Sequence, residues 1–167
     1  MFETKSGIRV AAALTIGLAG FLAQGQADVP ARSISRTAAV EYLYPEQVTV
    51  PAGKATTVTL HFRIAPGLHI NSHTPSEEEF IPTTFSIPEV SGVRLDGASY
   101  PPGTDFRLPL DPNTKLSVYT GEFTIQVRIV ATGGDHLVEA RLRYQACDNN
   151  ACMPPKTLTV PIDVVGK

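Results

Sequence analysis

Residues 57–64 read Thr-Val-Thr-Leu-His-Phe-Arg-Ile, and this stretch sets the fold class. Val58, Leu60, Phe62 and Ile64 alternate with Thr57, Thr59, His61 and Arg63. That period of two lines up apolar side chains on one side of an extended strand. The same alternation recurs at Phe123–Ile129, Val138–Tyr144 and Leu158–Val164. Four half-buried strands of this kind predict antiparallel pairing around a shared core. Shorter candidates lie at Ala39–Tyr44, Thr83–Ile87, Val93–Ala98 and Leu116–Tyr119. Beyond the N-terminal leader no segment keeps a 3.6-residue period, and 14 prolines with 13 glycines punctuate strand ends and loops. Seven or eight short strands between turn signals predict one all-β domain over residues 38–167, an immunoglobulin-like antiparallel β-sandwich.

The first 27 residues stand apart. Lys5 and Arg9 precede an apolar run from Val10 to Leu22, and Gly25-Gln26-Ala27 offers small residues where a signal peptidase reads. About 13 apolar residues fall short of the ~20 that cross a bilayer. Residues 1–27 are therefore expected to be a cleaved secretory signal, residues 28–37 a flexible lead-in, and the mature chain an exported protein with no membrane span. The formal net charge is only −2, with no basic stripe interleaved with aromatics, so nucleic acid is not expected as a partner. The roughly 140 residues that remain can bury a sufficient core without disulfide staples.

That sufficiency bears on the cysteines, of which the chain has 2, Cys147 and Cys152. Both fall between the last two strong strands, so one hairpin connection carries them. An even pair in an exported protein is expected to be joined. Closing so small a ring contributes only ~2 kcal/mol on the chain-entropy estimate. A bridge meant for stability would more usefully tie two sheets together, whereas a short bridge on an exposed turn is open to an attacking thiolate. The C-x4-C spacing lies between strands, unlike the C-x-x-C at a helix start whose dipole lowers a thiol pKa. Asp148, beside Cys147, would oppose a thiolate there. The cysteines with His69 and His73 offer a four-ligand set in principle. No histidine follows His136, however, as a copper-binding loop would require, so neither metal nor cofactor is expected. A secreted interaction domain with an inert bridge stays open as the alternative. Glu77, Glu78 and Glu79 read as a solvated loop, and His61 as a water-facing strand residue.

The run YQACDNNACMPP at 144–155, with the strand KTLTVPIDV behind it, resembles the N-terminal domain family of the thiol:disulfide interchange protein DsbD. GLHINSHTP at 67–75 and YPPG at 100–103 are further echoes. The resemblance implies an immunoglobulin-like module that relays reducing equivalents in the periplasm, acting as a thiol–disulfide oxidoreductase. Its implied partners are thioredoxin-like redox proteins or a separate membrane electron donor on one side, and client disulfide proteins on the other. By motif position, Cys152 forms mixed disulfides with partners and Cys147 resolves them. Tyr144 and Gln145 flank the pair, with Asp148 in the spacer and Met153 behind it. The family shields its cysteines under a cap loop bearing an aromatic residue, and the loop between Tyr100 and Ser117 makes Phe106 the counterpart. His69 and Asn71 stand near where the family places tyrosines. The spacer is one residue shorter than in the best-known members, and Met153 replaces an aromatic. With no membrane domain before Lys167, the electron donor is expected to be another protein.

Overall fold

The computed structural model describes residues 38–167 apart from 45–46, 90–91 and 109–110. The leader expected over 1–27 and the lead-in over 28–37 lie outside the described residues. The first of three sheets has the order β1 (Val40–Leu43), β3 (Thr56–Ile64), β9 (Glu122–Ala131), β6 (Val93–Ser99). The second has β2 (Gln47–Val50), β12 (Lys156–Gly166), β10 (Gly134–Tyr144), β5 (Thr84–Ser86). The third and smallest has β11 (Ala146–Cys147), β4 (His69–Asn71), β8 (Asp111–Tyr119), β7 (Thr104–Leu108).

The alternation in sequence becomes the core. Val58, Leu60, Phe62 and Ile64 of β3 are buried while the residues between them face water. They join Phe123, Ile125, Val127 and Ile129 of β9 on the first sheet. Val138, Ala140 and Leu142 of β10 with Val160, Ile162 and Val164 of β12 supply the second sheet's share of one continuous cluster. Two sheets covering one apolar interior make the immunoglobulin-like sandwich that the sequence predicts. Phe62 is fully buried between Tyr42 and Phe123, with ring centroids at 5.5 and 5.2 Å.

Two features differ from the sequence reading. The described residues hold 12 strands where seven or eight were expected, because β2, β4, β7 and β11 are only two to five residues long. So few residues leave too little alternation to detect. In addition, the short β2 runs parallel to β12, with Asp163 opposite Gln47 and Gly166 opposite Val50, while the other strand pairings among the described residues are antiparallel as expected. Alternation reports which side of a strand is buried and carries no information about its direction. The stretch read as a cap loop between Tyr100 and Ser117 is a hairpin of β7 on β8, with a register shift between Arg107 and Leu108. Its entry is tightly packed, since a Cβ at Gly103 would collide with Ser72 and Ser117, so only glycine fits there.

Candidate active site

Strand β10 pairs with β12 along its whole length, from Gly134 opposite Gly166 to Tyr144 opposite Lys156. Tyr144 ends this run buried, its phenol hydrogen-bonded to the Val40 backbone of the other main sheet. The chain then leaves the second sheet. Ala146 and Cys147 pair instead with Ile70 and His69 of β4. Side chains alternate across a strand, so the two residues of β11 look opposite ways. Ala146 and Ile70 belong to the main core; Cys147 and His69 are buried outside it.

The pairings of the third sheet extend that division. Asn71 lies opposite Val118. Val118 lies opposite Thr104, and Leu116 opposite Phe106. One face of the small sheet thus carries Cys147, His69, Asn71, Val118, Leu116 and Phe106. The ring of Phe106, itself half-buried, rests on that of His69 with centroids 4.3 Å apart.

Cys147 and Cys152 are joined, with Cα atoms 3.9 Å apart. They differ sharply in exposure: Cys147 is 2% exposed, whereas Cys152 is exposed to solvent. A turn from Asp148 to Ala151 separates them, closed by the Asp148 N–H donating to the Ala151 carbonyl at 3.0 Å. Asp148 organises it, because its Oδ1 accepts from the backbone N–H groups of Asn150 at 2.7 Å and Ala151 at 2.8 Å. This is the Asx arrangement that makes aspartate a turn former. The two amides hold the Asp148 carboxyl below the usual carboxylate range, with a smaller pull from His69. The charge that the sequence places beside Cys147 is therefore largely committed to the turn.

A hydrogen-bonded frame fixes the buried cysteine. Asn71 Nδ2 donates to the Ile81 carbonyl at 3.1 Å and to Gln145 Oε1 at 3.3 Å. Gln145 Nε2 donates onward to the Met153 carbonyl at 3.2 Å, and the Met153 N–H returns to the Ala146 carbonyl at 2.8 Å. Thr83 Oγ1 donates to the Asn71 carbonyl at 2.6 Å. Gln145 and Asn71 thus clamp both sides of the cysteine turn, roles that the motif alone does not reveal. Thr83 and Ser72, both completely buried polar residues, were not singled out from sequence. Isolated hydroxyls carry no periodic signal, and only a contact map would have found them. His73 takes a structural place, stacked on Tyr100 at 3.7 Å, with its Nδ1 2.9 Å from the Thr83 carbonyl. His61 is exposed, as its position in the alternation predicts. Among the described residues, no group of three or more His, Cys, Asp or Glu side chains could hold a metal ion, and no helix is long and apolar enough to cross a membrane.

His69 is the unusual member of the site. It is 2% exposed, and its Nε2 has no hydrogen-bond partner. Burial lowers its pKa, opposed only in part by the nearby Asp148 carboxylate. A cleft of about 510 Å³ lies beside it, walled by the 63–68 segment, Phe106 and residues 120–122.

Reduction of the disulfide is expected to weaken the fold only modestly. A ring of about six residues supplies roughly 2 kcal/mol by constraining the unfolded chain, and none of the main core depends on it. Thermal melts with and without reductant should differ by several degrees. Failure to fold when reduced would identify the bridge as a structural staple.

The family model for the N-terminal part of thiol:disulfide interchange protein DsbD matches residues 39–163. Among solved structures, the chain is similar to the DsbD N-terminal domain of Neisseria meningitidis in the reduced form. Identity there is 20%, the match covers 69% of this chain and 82% of that one, and the TM-score is 0.47. It is also similar to the N-terminal periplasmic domain of ScsB from Proteus mirabilis, at 13% identity. That match covers 74% of this chain and 44% of that one, with a TM-score of 0.48. No curated protein matches the sequence.

Proposed function

The chain belongs to the DsbD N-terminal domain family, and on that premise we propose that it is a periplasmic module relaying reducing equivalents between thioredoxin-like proteins through Cys147 and Cys152. In this reading residues 1–27 are the export signal and residues 38–167 the working domain. The observation that carries it is the asymmetry of the disulfide, one sulfur-bearing residue exposed and the other buried. Exchange proceeds by in-line attack on one sulfur with the other leaving, and access decides which is attacked.

A donor thiolate attacks Cys152 Sγ, the Cys147–Cys152 bond breaks, and Cys147 leaves with the electron pair. The donor's second thiolate then attacks its own sulfur in the mixed disulfide and releases Cys152. The donor ends as a disulfide and the module as a dithiol. Delivery to a client runs the same steps in reverse, with Cys152 attacking the client disulfide and Cys147 resolving the complex. Met153-Pro154-Pro155 favours docking beside Cys152, since the prolines present no backbone N–H to be left unpaired. Phe106 serves as the aromatic cap on the Cys147 side.

The test is the reduction potential, measured by equilibrating the protein with thioredoxin or glutathione couples. A relay is expected between about −270 and −180 mV, the range spanned by thioredoxins and disulfide isomerases. A value below about −300 mV would mark an inert structural bridge and overturn the reading.

A further inference from the structure

We propose that His69 is the general base that takes the proton from Cys147 when Cys147 resolves a mixed disulfide held on Cys152. The inference rests on the exchange function proposed above and adds a residue to it. The problem His69 solves arises from burial. The thiolate is the nucleophile, and a thiol in apolar surroundings holds its proton more tightly than one in water. Cys147 is 2% exposed, on the sheet face it shares with His69, Val118 and Phe106, so it needs a local acceptor.

His69 is the residue directly opposite Cys147 in the β11–β4 pairing, on the same face of the sheet. Opposed residues of this kind have Cβ atoms about 4.5–5.5 Å apart. Its Nε2 is buried and unpartnered, an expensive condition for a polar atom unless it has a task in another state of the protein. The Phe106 ring holds the imidazole from one side. Desolvation keeps the ring neutral near pH 7, the form that accepts a proton.

The charged groups around it are few. Asp148 lies at the end of β11 and favours the imidazolium once formed. Arg63 and Glu122, on the cleft wall, are paired with each other at 2.8 Å. Asp105 and Lys115, on the hairpin that carries Phe106, are likewise paired at 2.8 Å. In the step itself the Cys147 S–H proton moves to His69 Nε2 and the sulfur electron pair attacks Cys152 Sγ. The bond from Cys152 to the partner sulfur breaks, the partner leaves as a thiolate, and that thiolate or water takes the proton from His69.

Dithiobis-nitrobenzoate separates the two cysteines in time. Mixed with the reduced protein, it forms an aromatic mixed disulfide on exposed Cys152 and releases one coloured thiolate. Attack by Cys147 then releases the second. In the native protein the second phase should be independent of pH between about 7 and 8, above the lowered His69 pKa. In His69→Gln and His69→Phe it should slow about a hundredfold, and its rate should climb tenfold per pH unit as the Cys147 thiolate fraction grows. The first phase should be unchanged in both. His69→Phe keeps a ring against Phe106, so a native-like second phase in that variant would show that the ring's packing and not its nitrogen matters, and would overturn the proposal. Unchanged rates and pH profiles in both variants would overturn it too. Absence of any second phase in the native protein would instead defeat the exchange reading on which it rests.

Discussion

Mixed with a thioredoxin-like donor whose own resolving cysteine has been removed, the Cys147→Ser variant is expected to accumulate as a covalent complex, while Cys152→Ser stays free. The expected contrast is close to all or none on a non-reducing gel. It follows from access: Cys152 is exposed at the end of the Asp148–Ala151 turn, whereas Cys147 is 2% exposed and paired with β4. The mixed disulfide of a macromolecular donor can be brought against the first sulfur, whose thiolate attacks it, without disturbing the sheet. Reaching the second requires β11 to come away from His69 and the Asn71–Gln145 clamp to open. The donor is supplied as an activated mixed disulfide, so each single-cysteine variant has one sulfur with which to react. Equal trapping by both would show that the small sheet opens readily in solution. Trapping by Cys152→Ser alone would reverse the roles assigned to the two residues.

Replacing Phe62 with alanine is expected to remove about 3–5 kcal/mol of stability, a large share of the roughly 5–15 kcal/mol that holds a domain of this size. Phe62 is fully buried in the second half of β3 and stacks on Phe123, with Tyr42 on its other side. Removing the ring forfeits its transfer from water and leaves a cavity that the paired strands β1 and β9 cannot collapse to fill. Urea titration of the oxidised protein should show a lower midpoint with an unchanged slope. Leu137→Ala is the matched control: the side chain is 73% exposed, and the change should stay within about 0.5 kcal/mol. A loss below about 1 kcal/mol at Phe62 would mean that the interior is not closed around it as described.

The two experiments probe layers of the molecule that were unequally visible in sequence. Val58 to Ile64 and Val138 to Tyr144 announce their strands because burial on one side imposes a period of two on neighbouring residues. The class of fold and most of the core follow from such local patterns. The YQACDNNACMPP run likewise marks the cysteines, since its chemistry sits within one short segment. The arrangement around them was less legible. His69-Ile70-Asn71 is three residues long and Ala146-Cys147 two, too short for any period to be read.

By itself, then, the sequence determined an all-β sandwich and a cysteine pair on one connection between strands. Only the tertiary structure decided which cysteine is buried, that His69 lies opposite it with a free nitrogen, and that Phe106 covers that histidine. The reason is physical. Alternation is a property of adjacent residues, while the pairing of β11 with β4, and of β4 with β8, joins stretches far apart in the chain. Which partner a two-residue strand finds depends on where the rest of the fold brings its backbone groups, each of which must be hydrogen-bonded once it is removed from water.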